Sequence, residues 1–247
     1  MGRMGLDFPK KPGLFVTGTD TGVGKTIIAG GIAKILSDQG RRVGVFKPIA
    51  TGCRRRWEGL VSEDTEFLAL CANSDHPLSV ITPVGYVTPA APVVSAECER
   101  RPIDFAAVAE AYNHICADSD VVLVEGIGGV RVPLTTQFDV LDLAGEFELP
   151  VVIVARPKLG TINHTLMTID CVRAARLSVA GIVINGFDAT TATVAEETAE
   201  QVIAACGGVD ILAVIPFDET TDVDPPQAGP MVLESLRQCD WAHLAGL

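Results

Sequence analysis

The residues best suited to chemistry lie near the start of the chain, in the segment Gly18-Thr-Asp-Thr-Gly-Val-Gly-Lys-Thr26. This segment follows the apolar residues 14–17 and precedes a helical pattern. A glycine-rich turn between a strand and a helix, ending in Gly-Lys-Thr, is typical of a phosphate-binding loop. Its backbone N–H groups would bind phosphate oxygens, with Lys25 on the β/γ-phosphates and the Thr26 hydroxyl on Mg²⁺. The sequence therefore predicts a nucleotide site.

The spacing within this loop departs from the general pattern by one residue. The pattern places a glycine five residues before Gly24, but Thr19 stands there and Gly18 comes one residue earlier. A glycine-rich turn that serves packing alone is the alternative, although it does not require Gly-Lys-Thr. The loop residues that we expect to contact the nucleotide are Gly22, Val23, Gly24, Lys25, Thr26 and Ile27.

An acidic residue ends the apolar run at residues 121–125. A carboxylate in this position, here Glu125, orders the Mg²⁺ shell in many phosphate-binding-loop proteins. Burying it without a cation would be costly. Together with Thr26 and Asp64 it makes an oxygen-only set that suits Mg²⁺. The alternative for Asp64 is a capping role, because Ser62-Glu-Asp64 opens a helical pattern.

Lys47 follows the apolar run at residues 42–46 and precedes Pro48. At the carboxyl end of a strand beside the phosphate loop, its charge would lie where negative charge accumulates. A solvated surface lysine explains the same pattern about equally well. Thr51-Gly52 would supply a hydroxyl and backbone donors for a second ligand, or form a plain turn.

Three later strand ends carry further groups. Asn185 offers a donor and an acceptor that could recognise an adenine edge. After the apolar run at residues 151–155, a helix opens near Gly160, and its free N–H groups could bind an anion. The other residues expected near the nucleotide are Gly126, Gly128, Gly186, Pro216, Phe217 and Asp218.

Apolar runs alternate with helical patterns along the whole chain. This alternation predicts one α/β domain over residues 1–247, built on a doubly wound, mostly parallel sheet. Residues 1–12 are interpreted as a flexible extension, residues 73–103 as a long ordered excursion, and residues 217–230 as a surface loop. The predicted strands are 14–18, 42–47, 121–125, 151–155, 180–185 and 211–216. The predicted helices are 25–39, 63–72, 105–117, 141–147, 164–176 and 195–205.

The amino-acid composition argues against several classes of function. The 247 residues carry a net charge of −12, which argues against nucleic acid and anionic membranes as partners. No apolar run approaches the ~18 residues of a membrane span. The seven cysteines lack any Cys-x-x-Cys pair, which favours reduced thiols and a cytoplasmic location. The densest basic cluster, Arg54-Arg-Arg-Trp57, is interpreted as a solvated loop, with a cation-lined pocket mouth as the alternative.

Taken together, these motifs resemble the dethiobiotin synthetase family. The matching segments are 15–26, 47–52, 63–64, 124–129, 158–164 and 184–185. The resemblance implies a P-loop NTPase-like fold and a reaction of ATP, CO₂ and 7,8-diaminononanoate that gives dethiobiotin, ADP and phosphate with Mg²⁺. In that reaction a carbamate takes the γ-phosphate before the second amine closes the ring. Lys47 is then the active-site lysine, assisted by Lys25.

The resemblance also implies where the second substrate binds. Thr21 and Thr51 would contact the diamine, and the family is a homodimer with shared active sites. The helix start of one subunit would receive the substrate carboxylate from the other, through Thr161, Ile162 and Asn163. Some members carry Glu at the position of Gly22 and Ser at that of Thr51, which leaves the exact substrate contacts open.

Two other classes share the phosphate loop. A partitioning-type ATPase switch carries a second lysine four residues before the last loop glycine, and here that residue is Asp20. An amidoligase of the cobyrinate type usually carries a glutamine-hydrolysing domain, for which 247 residues leave no room. Both classes therefore rank below the synthetase.

Overall fold

A computed structural model describes residues 5–6, 8–57, 59–224 and 226–247. Its strands are β1 (Gly13–Gly18), β2 (Val43–Phe46), β3 (Ile49–Thr51), β4 (Arg54–Arg56), β5 (Gly59–Val61), β6 (Val84–Tyr86), β7 (Val121–Gly129), β8 (Val151–Ala155), β9 (Val179–Phe187), β10 (Ile211–Pro216), β11 (Asp222–Val223) and β12 (Pro226–Gln227). Six of them form one parallel sheet in the order β10-β9-β8-β1-β7-β2. The predicted parallel α/β sheet is confirmed.

The helices are α1 (Lys25–Asp38), α2 (Glu63–Ala72), α3 (Leu78–Ile81), α4 (Pro92–Cys98), α5 (Phe105–Asp118), α6 (Val140–Phe147), α7 (Thr161–Ala174), α8 (Val194–Gly207), α9 (Pro230–Leu236) and α10 (Trp241–Leu244). Among the described residues, no helix has the length and apolar character needed to cross a membrane.

The sheet is covered on both faces because its strands alternate side chains between two buried clusters. In β1, Leu14 and Val16 pack on the face covered by α1, α2, α9 and α10. Phe15 points to the opposite face, which α5, α6, α7 and α8 cover. All six β1 residues are buried, as expected for a central parallel strand.

The excursion at residues 73–103 consists of short elements packed onto the domain. Its strand β6 pairs in parallel with β3 and so supports Thr51 opposite Tyr86. The Tyr86 hydroxyl donates to the Arg101 carbonyl at 2.8 Å, and the Arg101 guanidinium lies 4.4 Å from the centre of the Tyr86 ring. Pairing with β3 therefore connects the excursion to the domain, and the contacts between Tyr86 and Arg101 hold its own segments together.

The described part of the N-terminal segment, which the sequence predicts to be a flexible extension, packs against the domain. The Phe8 ring stacks on Phe147 with centroids 4.4 Å apart and meets the Tyr112 ring edge-on at 4.9 Å. The Leu6 N–H donates to the Glu146 carboxylate at 3.1 Å. Burial of these apolar side chains against α5 and α6 holds the segment. Residues 1–4 and 7 lie outside the described residues.

Other differences from the predicted elements are local. Helix α7 begins at Thr161 rather than at residue 164, because Gly160 adopts φ 96° and starts the helix there. Strand β7 continues past Glu125 to Gly129. The predicted surface loop at residues 217–230 contains the short antiparallel pair β11 and β12.

Candidate nucleotide and metal site

The phosphate loop connects β1 to α1 and depends on glycine at its final turn. Gly24 adopts φ 93°, and a Cβ atom there would lie 2.0 Å from Nδ2 of Asn185. The Lys25 ammonium donates to the Asp20 carbonyl at 3.1 Å, across the loop. Glycine is therefore required at position 24 for two reasons: the backbone has a positive φ, and no space is left for a side chain.

Next to this loop, four side chains from α1, β7, α2 and the end of β2 converge. The Thr26 hydroxyl donates to Oε1 of Glu125 at 2.9 Å. The Lys47 ammonium donates to the same oxygen at 2.7 Å and also to Oδ2 of Asp64. Lys47 and Glu125 are buried, with 3% and 1% of their surface exposed. Lys47 is therefore not the solvated surface lysine that the sequence left open.

Burial and mutual charge together shift the pKa values of this cluster. Burial alone would lower the pKa of Lys47, but Glu125 and Asp64 together raise it above its ordinary value. Burial also opposes the ionisation of Asp64, yet the Lys47 ammonium more than offsets this and lowers the Asp64 pKa. Burial raises the pKa of Glu125, and burial lowers that of Lys25. A charged Lys47 thus lies between two acids beside the phosphate loop.

The donor set of the cluster fits a magnesium ion. Oε2 of Glu125 is buried and has no hydrogen-bond partner among the described residues. Such an atom is expensive unless a cation or water meets it. With Asp64 and the Thr26 hydroxyl, it offers the all-oxygen chemistry that Mg²⁺ prefers.

A cavity of about 330 Å³ opens over this cluster. Two of its lining residues, Ile127 and Val223, were not predicted as site residues. Ile127 lies inside the Glu125-Gly-Ile-Gly motif, whereas no sequence signal marks Val223. The predicted residues that line the cavity are Thr21, Gly22, Gly24, Lys25, Thr26, Ile27, Lys47, Thr51, Asp64, Glu125 and Gly128.

Several residues expected near the nucleotide lie outside this cavity lining. The Asn185 amide donates to the Val23 carbonyl at 3.0 Å, which connects β9 to the phosphate loop. A Cβ atom on Gly126 would lie 3.2 Å from the Phe15 ring, so that glycine serves close packing. The remaining members of this group are Val23, Gly186, Pro216, Phe217 and Asp218.

The end of β10 leads into a turn held by Asp218. The Asp218 carboxylate accepts N–H bonds from Thr220 at 3.0 Å and from Met231 at 3.1 Å. Phe217 is 59% exposed. The Asp218 side chain thus joins this turn to α9, and the Phe217 side chain is exposed.

The start of α7 also lies outside the cavity lining within one chain. Thr161 is buried, and its hydroxyl has no hydrogen-bond partner among the described residues. Leu159, just before the helix, is 89% exposed. Thr161, Ile162 and Asn163 are therefore not among the residues that line this cavity in their own chain.

The arginine cluster is a strand rather than the solvated loop that we predicted. β4 pairs with β5, and Arg54 forms ion pairs with Glu63 and with Asp224. Arg56 pairs with Glu66 at 2.6 Å. Arg54 thereby joins the first turn of α2, which carries Asp64, to the hairpin that carries Val223. The partners are far apart in sequence, which is why the pattern did not reveal them.

Two solved structures of cell division proteins have the same fold. The cell division ATPase MinD of Pyrococcus furiosus aligns over 95% of this chain and 97% of its own, with a TM-score of 0.53 and 17% identity. MinD in the MinC:MinD complex of Aquifex aeolicus aligns over 94% and 93%, with a TM-score of 0.55 and 14% identity. This fold, the phosphate loop and the acid on the adjacent strand define a P-loop NTPase.

Comparison with known sequences identifies the family to which the chain belongs within this class. A family model described as an AAA domain matches residues 12–225. The ATP-dependent dethiobiotin synthetase of Bacillus licheniformis is 40% identical over 223 residues, covering 89% of this chain and 91% of its own length. The protein of that name from Thermodesulfovibrio yellowstonii is 34% identical over 232 residues, covering 91% and 96%. The chain belongs to the dethiobiotin synthetase family.

Proposed function

We propose that this chain is an ATP-dependent dethiobiotin synthetase, a ligase that joins CO₂ to 7,8-diaminononanoate and closes the ureido ring. The observation that carries the proposal is the buried Lys47 between Glu125 and Asp64, next to a phosphate-binding loop. Family membership supports the same reaction. The partitioning-type switch shares the fold, but the relatives that match at 34–40% identity are synthetases.

The reaction requires three bond-forming steps. One amine of the substrate attacks CO₂ and loses a proton, giving a carbamate. A carbamate oxygen attacks the γ-phosphorus of ATP, and the bond to ADP breaks. The second amine attacks the carbonyl carbon of this mixed anhydride, loses a proton and expels phosphate, which leaves the cyclic urea.

The chain contributes positioning and charge to these steps. N–H groups from Gly22 to Ile27 would hold the β/γ-phosphates at the start of α1. Lys25 and Lys47 would neutralise the negative charge that develops when the carbamate oxygen takes the phosphoryl group. Both lysines line the same cavity as Thr51 and Thr21, which we assign to the diamine. Holding the two substrates in line accounts for much of the rate increase.

Thr26, Asp64 and Glu125 are the residues that would hold Mg²⁺ in this site. When bound, Mg²⁺ supplies positive charge to the phosphate oxygens of ATP. The unpartnered Oε2 of Glu125 supports this assignment.

The adenine base is assigned to the ends of β9 and β10. Asn185 uses one amide N–H for the Val23 carbonyl, which leaves its second N–H and its oxygen for a purine edge. Gly186, Pro216, Phe217 and Asp218 would line the base. The exposed Phe217 ring supports this assignment.

The functional unit is proposed to be a homodimer with shared sites. At the start of α7 the Thr161 N–H donates to the Lys158 carbonyl at 2.9 Å, whereas the N–H groups of Ile162 and Asn163 have no backbone partner among the described residues. None of these three residues lines the cavity of its own chain. In a twofold dimer, Thr161, Ile162 and Asn163 would bind the substrate carboxylate held by the partner subunit. A cytoplasmic location is supported by the seven cysteines, which are free thiols.

A mass-spectrometric assay tests the activity directly. Purified chain is incubated with diaminononanoate, bicarbonate, ATP and Mg²⁺, and formation of dethiobiotin is expected in proportion to ADP released. A sample without the diamine controls for uncoupled hydrolysis. ADP release that is independent of the diamine, with no dethiobiotin, would reject the synthetase in favour of an ATPase switch.

A further inference from the structure

A second cluster of ligand-type side chains lies far from the phosphate loop. His114 and Asp118 occupy the last turn of α5, four residues apart and thus on one face of the helix. His76 reaches them from the connection between α2 and α3. The potential ligand atoms of the three side chains all lie within 4.8 Å of one another. The two imidazole rings meet edge-on, with centroids 5.4 Å apart.

We propose that His76, His114 and Asp118 bind a zinc ion. Two imidazole nitrogens and one carboxylate oxygen are ligands that Zn²⁺ takes in proteins, and their mutual distances allow all three to reach one ion. Three protein ligands leave a fourth position for water. The all-oxygen cluster at Thr26, Asp64 and Glu125 suits a harder ion, so the two sites differ in chemistry.

Negative charge around this histidine–aspartate cluster outweighs the positive charge nearby, which favours a bound cation. The carbonyl end of the 14-residue helix α5 carries the negative end of its dipole. The cavity of about 510 Å³ beside the cluster is lined by Asp75 as well as by Asp118. Arg41 and Arg42 line it too, but Arg42 is paired with Asp120 through its Nε at 3.2 Å.

The cluster lies at the opposite end of the sheet from the phosphate loop. Val43, the first residue of β2, lines the same cavity, whereas Lys47 follows the last residue of β2. Four residues of extended chain separate these ends by about 13 Å. The zinc ion would therefore fasten the start of the 73–103 excursion to α5 without touching the reacting groups. This inference does not depend on the proposed function.

Calorimetric titration of the untagged, EDTA-treated chain with ZnCl₂ tests the proposal. Excess Mg²⁺ is present throughout to occupy the phosphate site. We expect one Zn²⁺ per chain, and a loss of affinity of at least ~10–100-fold in His114→Gln and in Asp118→Asn. The matched controls are His243→Gln and Asp170→Asn, exposed residues of α10 and α7, which should bind as the unaltered chain does.

Two further measurements separate this site from other zinc ligands and from misfolding. Zn²⁺ at about 100 times its Kd should raise the Tm of the unaltered chain by on the order of 5–10 °C. The same Zn²⁺ concentration should leave the Tm of the His76→Gln variant unchanged. Both proteins should melt alike in EDTA. Equal Zn²⁺ affinity in the unaltered chain and His114→Gln would overturn the proposal. So would loss of binding on replacing the exposed Cys98 and Cys206 by Ser.

Discussion

At the scale of single residues, the proposed site depends on charge balance in a buried place. Lys47 compensates Glu125 and Asp64, and neither Lys47 nor Glu125 reaches bulk water. A buried charge that loses its partner is destabilising, because its desolvation is no longer offset. Substitutions here should therefore change stability as well as activity, and the two effects have to be measured separately.

Lys47→Met removes the positive charge and keeps a similar chain length. We expect kcat for dethiobiotin synthesis to fall by about 10²–10³, because charge stabilisation of the phosphoryl transfer is lost. The free energy of unfolding should fall by about 3–5 kcal/mol, because Glu125 stays buried without its cation. Turnover is measured well below the Tm of the variant. Lys34→Met, an exposed change on α1, is the control. Near-normal turnover of Lys47→Met would refute the role.

Glu125→Gln keeps the shape of the side chain and removes its charge. The Mg²⁺ concentration for half-maximal activity should rise by roughly 10–100-fold, the range seen when groups that support a metal are altered. Nucleotide binding without Mg²⁺ should change little, because the loop N–H groups hold the phosphates. Glu197→Gln, an exposed change on α8, is the control. An unchanged Mg²⁺ requirement would make Glu125 a purely structural partner of Lys47.

At the scale of elements, the cavity is closed by segments held together through side chains. The β11–β12 hairpin brings Val223 to the cavity, and Arg54 ties Asp224 of that hairpin to Glu63 of α2. These ion pairs are partly exposed, so each is worth about 1 kcal/mol at most. Their effect should appear in substrate affinity more than in the global stability of the domain.

Arg54→Ala is predicted to raise the KM for ATP by roughly two- to fivefold with little change in kcat. This range corresponds to a loss of about 0.4–1 kcal/mol, which is typical of an exposed pair. Steady-state kinetics at low and high salt measure it, and high salt should reduce the difference because it screens the pair. Arg55→Ala, its exposed neighbour on β4, is the control. If Arg54→Ala and Arg55→Ala had the same KM for ATP, the ion pairs of Arg54 would not support the cavity.

At the scale of the whole molecule, the residues assigned to the substrate carboxylate do not line the cavity of their own chain. The cavity lining includes Lys47 and Thr51 but not Asn163. A twofold dimer would bring the α7 start of one chain to the cavity of the other. Each active site would then consist of residues from both chains.

Complementation tests this shared arrangement. A Lys47→Ala chain and an Asn163→Glu chain should each be inactive, and their heterodimer should recover up to about one active site. In the heterodimer, one active site contains both substituted residues, and the other contains the unaltered Lys47 of one chain and the unaltered Asn163 of its partner. Asn163→Glu is chosen because an added negative charge repels the carboxylate, whereas alanine keeps the backbone donors. Proven heterodimers without activity would show that each site lies within one chain.

The sequence by itself determined the parts that depend on neighbouring residues. A glycine-rich turn between a strand and a helix specifies its own geometry, so the loop from Gly18 to Thr26 could be predicted from its motif. Apolar runs predicted the six sheet strands, and the carboxyl ends of parallel strands necessarily meet at one edge. This places Lys47 and Glu125 at the same edge of the sheet, whereas the pairing of β2 with β7, which makes them neighbours, is decided by the tertiary structure.

Tertiary structure alone decided the contacts between distant segments. Composition could not show that Phe8 stacks on Phe147, that Arg54 bonds Asp224, or that His76 meets His114. Each contact joins residues that no local pattern links, and each depends on how helices and hairpins pack against the sheet. Packing is a property of the whole assembled chain, because a side chain's neighbours are set by every element around it.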